Sequence, residues 1–383
     1  MAISPPSSPS PVGKRAWVTL VTNPTYLAGL LALHRTLISV SSYPLVVMTT
    51  PTLPLSSQAL ISSYGIQVRL VPHLAPSSEQ NHPGFDPSFV RFADTWTKLR
   101  AFGLTEFDKI ILIDVDMIFL RGMDELFDME LPGQDWIAAA PACVCNPFKL
   151  EHYPRDWIPA NCSFRHQSTL STLSSPPTPS SSSPRTAHLL NGGLVVLHPS
   201  ISTFDTILDH LNNSPQIPNY KFPDQDLLAE VFQGRWKPLP WWCNALKTLR
   251  SVHKPIWKDG EVRLIHYILD KPWNKRPVSL PPYQSTIHEL PLTPDSPESY
   301  PNHPSNNVGG GGENTTTTSN EPIRRRPLPP RLLDAVKKTG PQESLRDYEE
   351  VHKWWWIVYE DLLDEMKGSG DERWKEVDQW VKR

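Results

Sequence analysis

The 383-residue sequence predicts an α/β fold, with a Rossmann-like, mostly parallel mixed sheet flanked by helices. Over residues 16–71, short runs rich in β-branched residues alternate with stretches whose apolar residues recur at helical spacing. This alternation indicates parallel strands joined by crossover helices. The run at 109–113 is almost continuously apolar, as expected of a central strand that is covered on both faces.

The elements follow in order from these two patterns. The expected strands share a short length and a content of β-branched residues, and lie at 16–22, 45–49, 66–71, 109–113, 136–140, 189–198 and 262–267. The expected helices share the 3.6-residue period, and lie at 26–40, 57–64, 91–104, 201–211 and 224–232. Asn23-Pro24 separates the first strand from the first helix, because proline cannot donate a backbone hydrogen bond.

Composition predicts where the α/β domain is interrupted. The chain has 42 prolines, about twice the usual share, and they cluster outside the periodic stretches. We expect the α/β domain to span residues 15–276, and segments too polar or too rich in Pro, Ser and Thr to build a core to be disordered. These are the tail at 1–14, an insertion at 168–184 and a linker at 277–340.

Residues 341–383 form the last expected unit, a Trp-rich helical segment. Trp354, Trp355 and Trp356 are consecutive, and Trp374 and Trp380 follow. So many large apolar rings are expected to bury against something. We expect this segment to dock on the α/β domain, with Trp241-Trp242 as the candidate contact, and binding of a separate partner as the alternative.

Charge and hydropathy exclude several classes of protein. The net charge of −3 gives no electrostatic reason to expect a nucleic-acid partner. No stretch reaches the roughly 18 apolar residues that a membrane span needs, and no secretory signal is recognisable, so a cytoplasmic location is expected. Three of the four cysteines, Cys143, Cys145 and Cys162, lie close together in the sequence, and the fourth is Cys243. Without a Cys-x-x-Cys pair or a histidine at zinc-site spacing, reduced structural thiols are expected.

The motif Asp114-Val115-Asp116 directly follows the most apolar expected strand. Ligands of open α/β sheets bind at the carboxyl ends of strands. Alternate residues of an extended segment point the same way, so both carboxylates can reach one ion. Their hard oxygens suit Mg²⁺ or Mn²⁺, which can in turn hold a diphosphate. The alternative is a solvated acidic turn, since short motifs often arise by chance.

Two later residues have the chemistry to complete such a site. His266 lies in the last expected strand and can supply an imidazole ligand, which shifts the preference toward Mn²⁺, with Mg²⁺ as the second choice. Lys271 precedes Pro272 and Trp273, which would fix the loop and leave its ammonium group to meet phosphate. The alternative for His266 is a histidine of the core, and the alternative for Lys271 is a solvated surface charge.

Taken in order, short motifs of the chain resemble the glycogenin-like glycosyltransferases of family 8, which have the GT-A fold. The resemblance covers about residues 17–273 and indicates a fungal-type member other than glycogenin. The matching motifs are Val18 to Asn23 with Tyr26, Thr97-Lys98-Leu99-Arg100, Asp114-Val115-Asp116, Asn191-Gly192-Gly193, Asp224-Gln225, and His266 with Lys271-Pro272-Trp273.

The resemblance implies a role for each matching position. The nucleotide would be held at the end of the first strand by Leu20, Thr22, Asn23 and Tyr26. The donor's diphosphate or sugar would meet Arg91, Lys98, Val115, Asn191 and Gly192. The metal ligands would be Asp114, Asp116 and His266. The catalytic residues would be Asp224, Gln225 and Lys271, the last neutralising the departing phosphate. A helix cap is the alternative role for Asp224.

Two departures from the family pattern narrow the expected function. The loop between His266 and Lys271 is shorter than in glycogenin and lacks its glycine. Residues 244–255 align with the segment that carries glycogenin's self-glucosylated tyrosine, yet contain no tyrosine. A self-glucosylating glycogen primer is therefore disfavoured.

The expected function is Mn²⁺-dependent, retaining transfer of a hexose from UDP-glucose or UDP-galactose to an acceptor that the sequence does not identify. Retention can proceed by a front-face, SNi-like route, which we favour, or through a covalent intermediate. One alternative is a catalytically weak UDP-sugar-binding interaction protein, which the complete set of metal and phosphate residues disfavours. Another is a nucleotidyltransferase, but no Gly-rich basic loop follows the first strand.

Overall fold

The computed structural model describes residues 13–283 with gaps at 78–93, 152 and 168–177, and residues 326–383 with gaps at 339–341 and 343. Most of the expected tail, part of the expected insertion and most of the expected linker therefore lie outside the described residues. Arg91, expected to contact the donor, lies outside them too.

The amino-terminal part of the chain builds parallel strands joined by helices. In order, the elements are β1 (Arg15–Val21), α1 (Leu27–Val40), β2 (Leu45–Thr49), α2 (Leu55–Ser63), β3 (Gln67–Leu70) and β4 (Lys109–Ile113). A 3₁₀-helix at Thr95–Gly103 stands where an α-helix was expected over 91–104. Strand β1 pairs in parallel with both β2 and β4, so it lies inside the sheet.

The rest of the domain adds shorter strands and further helices. They are β5 (Met117–Phe119), β6 (Ile137–Pro141), β7 (Leu190–Leu197), α3 (Ile201–Asn213), α4 (Pro223–Val231), β8 (Trp236–Pro238), β9 (Ala245–Leu246), α5 (Leu249–Val252) and β10 (Leu264–His266). The C-terminal segment contributes α6 (Pro330–Lys337), α7 (Glu349–Gly368) and α8 (Trp374–Asp378). The sequence does not predict strands β5, β8 and β9, because two or three residues are too few to show a period.

The main sheet has seven strands in the order β3-β2-β1-β4-β7-β6-β8. Only β7 runs antiparallel to its neighbours, β4 and β6, so the expected mostly parallel mixed sheet is confirmed. A second sheet has the order β5-β10-β9. Because β7 is reversed, its amino end meets the carboxyl end of β4, and the Asp114 amide donates to the Gly193 carbonyl at 2.9 Å. This crossing places the acidic motif beside the Asn191-Gly192-Gly193 motif.

Both faces of the main sheet are buried. In β4, Ile111 and Ile113 pack into the layer that contains α1 and α7, while Ile110 and Leu112 pack into the layer that contains α3 and α4. Alternate residues of a strand point to opposite faces, so a strand covered on both sides must be apolar throughout. This explains the uninterrupted apolar run at 110–113.

Helix α6 occupies part of the expected disordered linker. Its Leu332 is fully buried, and the same core includes residues of α7. The residue composition predicted a flexible connection, whereas the tertiary contact of one apolar side chain stabilises a helix there. Within the described residues, none of the helices is both long and apolar enough to cross a membrane.

Helix α7 packs on α1 and on the loop that follows β10. Trp354, Trp355 and Trp356 are fully buried. The Trp356 indole N–H donates to the Pro272 carbonyl at 2.9 Å, and the Trp355 ring lies 5.6 Å from the Trp273 ring. The tail's contacts therefore involve the Lys271-Pro272-Trp273 loop.

Trp241 and Trp242, which the sequence suggested as the surface for the tail, contact residues of the α/β domain. Trp241 pairs with Trp257 at 5.2 Å, and the Arg263 guanidinium lies 4.2 Å from the Trp242 ring. Both are fully buried in the domain. A pair of adjacent tryptophans indicates burial but not which element covers it.

Two further polar contacts fasten the tail to this loop region. The Tyr267 hydroxyl donates to the Val351 carbonyl at 2.9 Å. Arg276 pairs with Glu360 at 2.8 Å, and the Glu360 side chain is only 3% exposed. A buried carboxylate is costly without its partner, so Arg276 and α7 depend on each other.

We expect Trp356→Ala to destabilise the protein by about 3–5 kcal/mol, because it removes a fully buried ring. Trp380→Ala is the control, since Trp380 lies in the same tail but is 36% exposed, so it loses less buried area and should destabilise the protein less than Trp356→Ala does. Urea denaturation of both variants measures the difference. A urea midpoint of Trp356→Ala equal to that of the wild type would show that burial of this ring contributes little to the stability of the fold.

Candidate active site

The acidic motif lies between β4 and β5, facing the end of β10. His266 Nε2 lies 3.6 Å from Asp114 Oδ2 and 3.3 Å from Asp116 Oδ1. One ligand atom from each of the three side chains lies within 4.8 Å of the others. Two carboxylates and an imidazole at this spacing fit a divalent cation. His266 reaches the motif because β10 pairs with β5, placing His266 opposite Met117.

A chain of hydrogen bonds fixes which nitrogen of His266 faces the carboxylates. The Gly193 amide donates to Asn191 Oδ1 at 3.0 Å, and Asn244 Nδ2 donates to the same oxygen at 2.7 Å. Asn244 therefore turns its oxygen toward His266, and His266 Nδ1–H donates to that oxygen at 2.9 Å. This leaves Nε2 as the atom available to a metal, with the outer support that metal-binding histidines commonly have.

The two glycines of the Asn191-Gly192-Gly193 motif are required by close approach. A Cβ at residue 193 would lie 2.4 Å from His266 Cε1. A Cβ at residue 192 would lie 2.8 Å from Asp224 Oδ2. Any side chain there would displace a candidate ligand or a candidate catalytic carboxylate.

Lys98 balances the charge on one side of the site. Its Nζ lies 2.9 Å from Asp114 Oδ1 and 2.6 Å from Asp224 Oδ2, and it donates to the Gly192 carbonyl at 3.0 Å. Burial alone lowers the pKa of Lys98, but Asp114 and Asp224 outweigh it and raise that pKa above its usual value. The ammonium group is therefore charged and holds two carboxylates in place.

Lys271 balances the charge on the other side. Its ammonium contacts Asp116 Oδ2 and also donates to the Tyr267 carbonyl at 3.1 Å. Burial raises the pKa of Asp116, but Lys271 and His266 outweigh burial and hold that pKa well below its usual range. Asp116 is thus ionised, as a metal ligand must be.

Asp224 and Gln225 begin α4 and face the site. Asp224 does not cap the helix, because its carboxylate is paired with Lys98. Asp226 reaches back from the first turn of α4 and accepts from the amides of Lys221 and Phe222, which precede the helix, at 2.8 and 2.9 Å. Gln225 Oε1 accepts from Asn191 Nδ2 at 3.1 Å, which extends the hydrogen-bonded chain from α4 to His266.

The end of β1 forms the opposite wall. Thr22 donates to Asp94 Oδ2 at 2.9 Å, and Asn23 Oδ1 accepts from the Thr25 amide at 2.9 Å to cap a short 3₁₀-helix. The Tyr26 ring lies edge-on to Trp273 at 5.7 Å. Asn23 and Tyr26 thus make local structural contacts and also line the cavity.

One cavity of about 580 Å³ brings the predicted residues together. Its lining includes every predicted site residue except Arg91, namely Leu20, Thr22, Asn23, Tyr26, Lys98, Asp114, Val115, Asp116, Asn191, Gly192, Asp224, Gln225, His266 and Lys271. A cavity of this volume lies in the range that holds small ligands. The individual roles of these residues stay predictions.

Sequence reasoning missed Asn244 and the aromatic wall of the cavity. Asn244 orients His266, but an isolated asparagine has no recognisable signal. The wall contains Tyr153, Trp157 and Phe222, with the last two rings stacked 5.4 Å apart. Tyr153 and Trp157 come from a segment without helix or strand periodicity, so their meeting with Phe222 was not predictable from local pattern.

The shortened loop after His266 contains an unusual backbone conformation. Leu269 has a φ of +64°, in the left-handed region that favours glycine. The family loop that the sequence resembles has a glycine in this segment, and here a leucine adopts the strained conformation instead. Leu269 lines the cavity next to Lys271.

We expect Leu269→Gly to be more stable than Leu269→Ala by about 1 kcal/mol, because only the alanine retains the Cβ that disfavours the left-handed region. Both variants lose the leucine side chain, so their difference isolates the backbone term. Urea denaturation at equilibrium gives both free energies. An alanine variant as stable as the glycine variant would show that the strain is negligible.

The chain matches one family model, several plant proteins and several solved structures. The model of the family described as glycosyl transferase family 8 matches residues 18–276. Galactinol synthase 1 of Arabidopsis thaliana is 28% identical over 280 residues, which are 71% of this chain and 76% of that protein. Galactinol synthase 1 of Solanum lycopersicum is 28% identical over 262 residues, 67% of this chain and 73% of its own length. The solved galactosyltransferase LgtC, in complex with donor and acceptor sugar analogs, is 15% identical with a TM-score of 0.44, over 68% of this chain and 90% of that one.

Proposed function

Because this chain belongs to glycosyltransferase family 8, whose model covers residues 18–276, we propose that it is a metal-dependent retaining hexosyltransferase that uses a UDP-sugar. The observation that carries the proposal is the meeting of Asp114, Asp116 and His266 in a cavity that also contains Lys98 and Lys271. Two anionic ligands and two ammonium groups in one cavity suit a substrate with a metal-bound diphosphate.

The nucleotide would lie along the end of β1. Leu20, Thr22, Asn23 and Tyr26 line this part of the cavity, and the diphosphate would extend from there toward the acidic motif. Ligand binding at the carboxyl edge of a parallel sheet agrees with this orientation. The donor sugar would then reach Asn191, Gly192, Asp224 and Gln225.

Departure of UDP leaves negative charge that the site must stabilise. Asp114, Asp116 and His266 would hold Mn²⁺, which supplies positive charge beside the diphosphate when it is bound. Lys271 is 21% exposed and contacts the oxygen of Asp116 that lies away from His266. A cation between the carboxylates would weaken that contact, so the Lys271 ammonium could turn to a phosphate oxygen.

The surroundings of Asp224 favour the SNi-like route. Its carboxylate is 9% exposed and pairs with Lys98 at 2.6 Å, which makes it a poor nucleophile. In this route the acceptor oxygen bonds to the anomeric carbon on the face that UDP leaves, and its proton passes to the departing phosphate. Asp224 and Gln225 would orient the sugar and stabilise its developing positive charge.

UDP-galactose and UDP-glucose are the proposed donors, and the name of the galactinol synthases makes UDP-galactose the first to test. We assign the acceptor to the part of the cavity that has a wall of Tyr153, Trp157 and Phe222. Flat aromatic faces suit the apolar faces of sugar and cyclitol rings. A panel of hexoses and polyols that includes inositol therefore comes before protein or lipid acceptors.

We expect Asp116→Asn to lower Mn²⁺-dependent transfer at least about 100-fold, because loss of a charged ligand removes several kcal/mol of transition-state stabilisation. UDP release from UDP-galactose and UDP-glucose, with and without the acceptor panel, is the measurement. Asp128→Asn is the control, since Asp128 is a 70% exposed partner of Arg15 on the surface. It should retain full activity.

Two outcomes would contradict this proposal. One is that the wild-type protein keeps its full turnover after Mn²⁺ has been chelated. The other is near-normal activity of Asp116→Asn. Tight UDP-sugar binding without release of UDP for any acceptor would instead favour the interaction-protein alternative.

A second substitution tests the sugar-facing carboxylate. We expect Asp224→Asn to lower kcat about 100-fold while leaving the affinity for UDP within about 3-fold, because only the charge near the anomeric carbon is lost. Asp226→Asn is the matched control on the same turn of α4, and its amide oxygen can still accept from Lys221 and Phe222. Steady-state kinetics and UDP titration separate the two effects. If Asp224→Asn lowered the affinity for UDP by the same factor as kcat, Asp224 would be needed for the structure of the pocket and not for the transfer step.

A further inference from the structure

Three cysteines and a histidine converge on one point outside the acidic motif. His253 Nε2 lies 3.5 Å from Cys143 Sγ, 3.3 Å from Cys145 Sγ and 3.4 Å from Cys162 Sγ. The four atoms all lie within 4.8 Å of one another. Cys145, Cys162 and His253 are buried, and Cys143 is partly buried.

Hydrogen bonding does not account for this geometry. A single imidazole nitrogen has one lone pair or one proton, so it can make one good hydrogen bond and not three. Tetrahedral coordination does account for it. With Zn–S of about 2.3 Å and Zn–N of about 2.0–2.1 Å, the sulfur-to-nitrogen edge of a tetrahedron is about 3.5 Å. The three observed distances match this edge.

We propose that Cys143, Cys145, Cys162 and His253 bind one structural zinc ion, at a site separate from the acidic donor site. Three thiolates and one imidazole form a ligand set that structural zinc sites use. Soft sulfur ligands distinguish this site from the oxygen-rich Asp114-Asp116-His266 site, which favours Mn²⁺ or Mg²⁺. Four protein ligands complete a tetrahedron and leave no position for substrate, so the ion has a structural role.

The ion would fasten the aromatic wall of the cavity to the domain. Cys143 and Cys145 follow β6, Cys162 lies between two short 3₁₀-helices, and His253 follows α5. The segment between the cysteines carries Tyr153 and Trp157, and within its described residues regular structure is limited to 3₁₀ turns. A zinc crosslink supplies the order that helix or strand hydrogen bonds supply elsewhere.

Two residues of this segment have backbone conformations that their surroundings must stabilise, as a metal crosslink would. Asn146 and Lys149 have φ values of 41° and 51°, in the left-handed region. Non-glycine residues adopt it at a cost, which the surrounding structure must offset. Asn146 does so in part by closing its own turn with Leu150 through two hydrogen bonds of 2.9 and 3.1 Å. Asn146 directly follows Cys145 in the chain, and Lys149 lies four positions after Cys145.

The sequence predicted reduced structural thiols without a metal, and the proposed zinc site would replace that prediction for three of the four cysteines. Cys143 and Cys145 are separated by one residue instead of two, and His253 lies 91 positions beyond Cys162. Zinc-site spacing in sequence applies to compact finger-like units. Here the ligands come from three separate parts of one domain, so only the fold brings them together.

The direct test is the metal content of the full-length chain, purified under reducing conditions and dialysed against a weak chelator. We expect one zinc ion per chain, released when an organomercurial modifies the thiols. Replacement with Co²⁺ should produce sulfur-to-metal charge-transfer absorption. The acidic site contains no sulfur ligand, so this absorption reports on the proposed site alone and should persist in Asp116→Asn.

Matched cysteine variants locate the ion. Cys162→Ala should lose the bound zinc and the cobalt absorption and should melt at a lower temperature than the wild type. Cys243→Ala is the control, because Cys243 is equally buried but stands outside the cluster. It should retain both signals. If Cys162→Ala does not fold, Cys143→Ser at the partly exposed position replaces it, and the wild-type metal content remains an independent measurement.

Three results would overturn the proposal. The first is a reduced wild-type chain with no bound zinc and no cobalt charge-transfer absorption. The second is a disulfide between two of the three cysteines in the purified protein, found by mass spectrometry without reductant. The third is equal loss of zinc in Cys162→Ala and Cys243→Ala.

Discussion

The need to neutralise three carboxylates that meet in one cavity governs the architecture of the site. Asp114, Asp116 and Asp224 converge where β4 ends and α4 begins. Uncompensated charges in such a position would be strongly destabilising. Lys98 pairs with Asp114 and Asp224, and Lys271 pairs with Asp116. Under the proposed function, a bound cation would balance part of this negative charge and leave the Lys271 ammonium for a phosphate oxygen.

The reversed strand β7 allows this convergence. It brings the Asn191-Gly192-Gly193 motif to the end of β4, where two glycines let His266 and Asp224 approach the backbone. Asn191 then links Gln225 to Asn244, and Asn244 orients His266. A displacement of any member would be transmitted to His266. The hydrogen-bonded chain therefore couples Gln225 of α4 to the Asp114-Asp116-His266 cluster.

The periphery supports the two sides of the cavity by different means. On one side, α7 buries Trp355 and Trp356 against the loop that carries Lys271, so the tail supports the loop of a residue that lines the cavity. On the other side, the aromatic wall has little regular secondary structure, and the cysteines of the Cys143-Cys145-Cys162-His253 cluster lie on either side of its Tyr153 and Trp157 in the chain. Apolar packing stabilises the first side, and the proposed zinc ion would stabilise the second.

The sequence by itself determined the strands and helices that carry a clear period, the acidic motif at the end of β4, and the family to which the chain belongs. The bounds of β2 and β4 follow from β-branched and apolar runs alone. These features are readable because propensity and periodicity act over a few neighbouring residues. The mostly parallel sheet followed from the alternation of strands and helices.

Only the tertiary structure decided which groups meet. The pairing of Lys98 with Asp224, the support of His266 by Asn244, the surface that receives α7 and the His253 ligand of the cysteine cluster each join distant parts of the chain. Helix α6 was likewise missed, because its stability comes from the burial of Leu332 against the core and not from its own composition. Such contacts depend on strand order and on the layers that cover the sheet. A local sequence pattern contains neither.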